Sequence, residues 1–212
     1  PQSGCPLPAE PVTYGGWRCT PWYVLDATQE AVQDHLRQVF ATLRQAYGIR
    51  YFKLDANFWG AIHGGVRQDA AATRIEAYRR GMQAILEGAG PDAFILGCNA
   101  PMWPSLGLVD GMRVADDTER HDGRFRQIAH EVLSRNWQAD RLWVLDPDCL
   151  CLCDLANQHA SAAGYRVHIV TQIASGGMLL LGDRLAALDE TQQALIGRLQ
   201  QLADARLPAA VM

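Results

Sequence analysis

The sequence predicts an α/β fold with parallel strands: a (β/α)8 TIM barrel of which about six βα units are visible. Two observations carry the class. Short apolar runs alternate with longer amphipathic stretches, the pattern of strands joined by crossover helices. Charged residues recur where the short runs end, at Asp26, Lys53/Asp55, Arg113/Asp117 and Asp146/Asp148. In a barrel the C-terminal ends of all strands converge on one site. A third observation excludes the main competitor. A doubly wound sheet would carry a Gly-rich phosphate loop after an early strand, and Gly15-Gly16 and Gly64-Gly65 lack that spacing.

The elements follow in order. Trp22 to Asp26 is the first short run. Val32, Leu36, Val39, Phe40 and Leu43 then recur at helical spacing between Gln29 and Tyr47, and Gly48 ends that helix. Arg50 to Asp55 reads as the next strand. Thr73 to Glu87 is helical, with Ile75, Tyr78, Met82 and Ile85 on one side, and Gly88 and Gly90 close it. Ala93 to Cys98 reads as a buried strand, and Gly111 to Ala115 and Arg141 to Asp146 are two more, separated by a helix around Phe125 to Leu133. Met178 to Leu181 is the last run, followed by a helix from about Asp189 to Ala203. Tyr165 to Ile173 is ambiguous, because Val-His-Ile-Val-Thr suits a strand on propensity alone.

Bulk properties narrow the function classes. The chain has 212 residues, 49% of them hydrophobic, enough for one sizeable core. A net charge of −4 argues against binding a phosphate backbone, so no nucleic-acid partner is expected. No run of about 18 apolar residues is present to span a bilayer. The N-terminal residues lack the basic and apolar regions of a signal peptide. Six cysteines occur, at 5, 19, 98, 149, 151 and 153. Cys149, Cys151 and Cys153 alternate at strand period, but neither nearby His nor Cys-x2-Cys spacing supports zinc. They read as free thiols serving as small apolar residues, which favours a reducing, cytoplasmic location.

Two clusters carry candidate chemistry. Lys53 and Asp55 lie two residues apart on a strand, so both point the same way. A cation there favours the carboxylate anion, which suits a nucleophile or an acceptor for a substrate hydroxyl; a barrel-interior salt bridge is the alternative. Arg113-Val-Ala-Asp-Asp117 places a carboxyl at another strand end, where raised proton affinity would make it a general acid. Two carboxyls facing across a barrel mouth are what glycoside hydrolysis requires, roughly 5–5.5 Å apart for retention and roughly 6.5–9.5 Å for inversion. A divalent-metal site from Asp55, Asp117 and Asp146/Asp148 is the competing reading of the same carboxylates.

Four segments occur in a fixed order: Tyr51-Phe-Lys-Leu-Asp55, Phe94-Ile-Leu-Gly-Cys98-Asn-Ala-Pro101, Gly107-Leu-Val-Asp-Gly-Met-Arg113-Val-Ala-Asp-Asp117-Thr, and Leu142-Trp-Val-Leu-Asp-Pro-Asp148-Cys. Together they resemble glycoside hydrolase family 36, the melibiase-type α-galactosidases, in the clan that also holds family 27. The likeness runs from about Trp17 to Pro208. It implies that Asp55 is the nucleophile and Asp117 the acid/base of a retaining double displacement. Asp116 stands where the family often has Pro and is the neighbouring alternative for the acid. Lys53, Cys98 and Arg113 match positions lining the sugar pocket. Trp59 and Trp103 sit in βα loops and either stack on sugar or fill the core; His63 lies near the proposed mouth. Asp148 reads as a turn residue holding the barrel rim. No metal or organic cofactor is implied.

The resemblance also implies missing parts. Residues 1–20 read as a loop leading into the barrel, 21–207 as a partial barrel, and 208–212 as the start of a linker to an absent C-terminal β domain. The first two barrel strands and the flanking β domains are expected to be absent, so these residues alone are expected to be inactive. The implied substrate is a terminal α-galactoside. An α-N-acetylgalactosaminide, transfer of galactose in the manner of raffinose synthases, and a non-catalytic sugar-binding role are the alternatives.

Overall fold

The computed structural model describes residues 24–63 and 66–205. The expected lead-in loop, the expected linker, Cys5, Cys19, Trp22 and the Gly64-Gly65 pair lie outside them. The chain divides into two compact units at Asp110/Gly111.

The first unit begins with a turn. Residues 24–26 form no strand, contrary to the reading of the first apolar run. Asp26 is drawn into side-chain bonding instead of a ladder. Its carboxylate accepts from the Thr28 N–H at 3.0 Å, the Thr28 hydroxyl at 2.7 Å and the Gln68 N–H at 2.7 Å. Helix α1 (Glu30–Tyr47) follows and ends at Gly48, whose φ of 68° needs a residue without a Cβ. Strand β1 (Tyr51–Leu54) runs parallel to β2 (Phe94–Gly97), with Lys53 opposite Leu96. Between them helix α2 (Arg74–Ala89) opens on a capping box in which Thr73 and Glu76 satisfy each other's N–H groups.

Helices α1 and α2 approach closely because α2 carries glycines on the shared face. A Cβ on Gly88 would lie 2.2 Å from the Arg37 carbonyl oxygen, and one on Gly81 would lie 3.7 Å from Leu36 Cδ1 of α1. Phe52 of β1 turns towards this helical layer and meets Phe40 edge-on at 5.1 Å. Strand alternation therefore puts Tyr51 and Lys53 on the opposite face, with Asp55 continuing the same side just past the strand. Both strand residues are exposed there, and so is Asp55.

In the second unit β3 (Gly111–Arg113) pairs in parallel with β4 (Val144–Asp146), Arg113 opposite Asp146. A short β5 (Cys149–Leu150), which sequence reading did not resolve, pairs with β6 (Leu180–Leu181). Helices α3 (Asp122–Leu133), α4 (Ala162–Ala174) and α5 (Glu190–Asp204) cover them. The ambiguous stretch Tyr165 to Ile173 is thus helical. Ser161 caps it by accepting the Gly164 N–H at 3.0 Å, and the packing of His168 flat on Phe125, 4.3 Å between ring centres, outweighs β propensity. Leu150, Leu152, Leu188 and Leu199 form a buried cluster. No helix among the described residues is long and apolar enough to cross a membrane.

Candidate active site

In the first unit Asp55 leaves the C-terminal end of β1. Its Oδ1 accepts from the Ala56 N–H at 2.7 Å, and the residue is exposed. Ala56 and Asn99, which follow the ends of β1 and β2, hold left-handed backbones with φ of 57° and 45°. Such conformations cost roughly 1–3 kcal/mol and collect at functional sites. The two turns are tied by the Phe58 N–H donating to the Asn99 carbonyl at 2.8 Å. Cys98 is buried beside them, its N–H donating to the Leu54 carbonyl at 2.9 Å.

The remaining loop residues of this unit separate. Trp59 lines an apolar cavity of about 270 Å3 with Val32 and Leu36 of α1 and Tyr78, Met82 and Ile85 of α2. His63 is exposed, and Trp103 is 59% exposed on the loop after β2.

In the second unit Arg113 ends β3 almost wholly buried, and its guanidinium is shared by two carboxylates. Nη2 donates to Asp117 Oδ1 at 2.8 Å and lies 3.1 Å from Asp148 Oδ2. The Asp117 side chain is 87% exposed, whereas that of Asp148 is 13% exposed. Asp148 Oδ2 also accepts from the Thr118 N–H at 2.6 Å, so it holds the backbone just past Asp117. The Asp148 N–H donates to Asp146 Oδ1 at 2.9 Å, and its φ of 68° closes the turn after β4. Sequence reading found the turn role of Asp148. It missed the bond to Arg113, for which motif spacing gives no signal.

Asp116 sits in different company. The Asp117 N–H bonded to it holds its carboxyl below the usual range, helped by the Arg124 guanidinium and the Gln127 amide against a burial cost. A carboxylate so engaged is a poor proton donor. Further along the loop, buried Arg120 donates to the Cys153 carbonyl at 2.8 Å and to Asp183 Oδ1 at 2.9 Å. Asp183 Oδ2 in turn accepts from the Leu152 N–H at 2.6 Å. This clamp was not legible in the sequence.

The described thiols are those of Cys98, Cys149, Cys151 and Cys153, all buried or half-buried. Burial pushes the Cys151 thiol up to about 12, despite the Arg120 charge, and burial with a bond to Asp183 raises Cys153. Such thiols are inert apolar fillers. Among the described residues no three His, Cys, Asp or Glu side chains group closely enough to hold a metal ion.

No protein-family model matches the chain. Solved structures do. TtGalA, an α-galactosidase from Thermus thermophilus in complex with stachyose, is 26% identical with a TM-score of 0.70, over 91% of this chain and 42% of that one. The same enzyme in complex with p-nitrophenyl α-D-galactopyranoside matches at 26% identity and a TM-score of 0.72, over 94% and 41%. A family 27 β-L-arabinopyranosidase from Geobacillus stearothermophilus shares the fold at 17% identity, with a TM-score of 0.67 over 93% and 46%. The chain therefore spans under half the length of the structures it matches. Its parallel strands and intervening helices correspond to part of a TIM barrel.

Proposed function

We propose that the chain is part of the catalytic barrel of a retaining α-galactosidase of the family 36 kind, with Asp55 as nucleophile and Asp117 as acid/base. The observation that carries this reading is the 26% identical match, over 94% of the chain, to an α-galactosidase holding p-nitrophenyl α-D-galactopyranoside. The local chemistry agrees with it. Asp55 is exposed at a strand end, on the face away from the helices. Asp117 is the exposed carboxyl of the Arg113 loop, while Asp116 is engaged by Arg124 and Gln127.

In the proposed reaction Asp55 attacks the anomeric carbon as Asp117 gives its proton to the leaving oxygen. Asp117 then takes a proton from the water that releases galactose. Lys53 and Arg113 would bond sugar hydroxyls. Two inversions at one carbon amount to retention. The test is proton NMR of early hydrolysis of p-nitrophenyl α-galactoside by the full-length protein. α-Galactose as first product is expected, and β-galactose as first product, or no hydrolysis, would overturn the reading.

A further inference from the structure

Asp148 has no role so far in that reaction. Its carboxylate is largely shielded, sits 3.1 Å from the same Arg113 Nη2 that donates to Asp117, and accepts the N–H of Thr118, the residue after Asp117. We propose that Asp148 is the positioning residue of the acid/base: it takes up the Arg113 charge and pins the Thr118 backbone, so that Asp117 stays within reach of Arg113 yet able to hold a proton. The proposal rests on Asp117 being the acid/base.

The physical argument is one of charge. A lone guanidinium bonded to Asp117 would favour its anion and oppose the proton it must carry. A second carboxylate on the same nitrogen offsets that bias. The two carboxylate oxygens each lie about 3 Å from one nitrogen, so they are within about 6 Å of each other, where like charges still interact.

The other charged groups around the loop are occupied. Asp146, opposite Arg113, accepts the Asp148 N–H. His168 of α4, which feels the Asp148 charge, is kept neutral by burial. Asp116 is bonded to Arg124 and Gln127. Glu119 bonds Arg124 and His121 at 3.1 and 3.3 Å. From α3, Glu131 accepts from Gln127 and from the Asp116 N–H. Arg135 donates to the Val114 and Glu131 carbonyls, and Arg120 is committed to Asp183.

The test is the pH profile of kcat/KM for stachyose hydrolysis by the full-length enzyme carrying Asp148→Asn or Asp148→Gly. Both substitutions remove the charge, and both residues tolerate the positive φ of this turn. With the negative charge gone, Asp117 loses its proton at lower pH. The basic limb should therefore move down by about half a unit to one unit, the exposure of Asp117 moderating the effect. A limb that stays in place in both variants, whether or not the plateau falls, overturns the proposal and indicates a merely structural turn. Asp117→Asn separates the premise. If that variant loses stachyose hydrolysis while the limb of the Asp148 variants is unmoved, the acid/base reading survives and only this proposal fails. If Asp117→Asn hydrolyses stachyose at the wild-type rate, both fail.

Discussion

Arg120 and Asp183, 63 residues apart in sequence, form an ion pair at 2.9 Å with side chains 6% and 0% exposed. The pair is fully bonded, since Asp183 also accepts the Leu152 N–H and Arg120 also donates to the Cys153 and Gly182 carbonyls. Removing one partner leaves the other charge buried and uncompensated, which costs roughly 3–5 kcal/mol. Arg120→Ala should lower the denaturant midpoint of the full-length protein accordingly. An unchanged midpoint would show that the pair is not buried as described.

The helix approach gives a second stability prediction. Gly88→Ala would drive a Cβ to 2.2 Å from a backbone oxygen of α1, so the helices must separate, at a cost of about 1–3 kcal/mol or more. Gly48→Ala meets nothing within 4 Å and pays only for a left-handed φ, about 1–2 kcal/mol. Denaturant melts should rank Gly88→Ala as the more damaging. A Gly48→Ala variant more damaging than Gly88→Ala would contradict the close packing of α1 on α2.

His168 predicts a pH dependence. Burial lowers its pKa from 6.5 to about 4, and its Nε2 accepts the Cys151 N–H at 3.0 Å, a bond that protonation of that nitrogen would break. The unfolded chain binds this proton more readily than the folded one. The stabilisation is therefore complete above pH 6.5 and is lost as pH falls from there towards 4. The loss should be on the order of 2 kcal/mol by pH 5. His168→Asn, which cannot titrate, should flatten that part of the stability curve, and an unaltered slope would refute the assignment.

The strands were legible where apolar runs end on charged residues: Tyr51–Leu54, Gly111–Arg113 and Val144–Asp146 fall inside the predicted stretches. Local patterns failed where distant groups decide. Asp26 looked like a strand end, but Gln68, 42 residues on, supplies its buried oxygen with a donor. Val-His-Ile-Val-Thr was ambiguous between strand and helix until His168 found Phe125. The positions of Asp55 just past β1 and of Asp117 on the loop after β3 were legible because their motifs are local. The sharing of Arg113 by Asp148 and the Arg120–Asp183 clamp were not, because each joins segments whose spacing carries no pattern.

The adjacent carboxylates give a prediction about activity. Asp117→Ala should cut kcat/KM for stachyose by about 10²–10⁴-fold, the usual worth of a general acid. Asp116→Asn should cost far less, because Asp116 bonds α3 side chains instead of facing a leaving group. Steady-state kinetics on both variants decides the point, and the opposite ranking would move the acid role to Asp116.

The role of Asp55 is tested most directly by product analysis of full-length Asp55→Ala enzyme incubated with p-nitrophenyl α-galactoside and sodium azide. Removing the nucleophile empties the face from which it attacks, and a small anion can take its place. The expected result is loss of hydrolysis without azide and recovery with it, yielding β-galactosyl azide. Wild-type turnover by Asp55→Ala in the absence of azide would contradict the assignment of Asp55 as nucleophile.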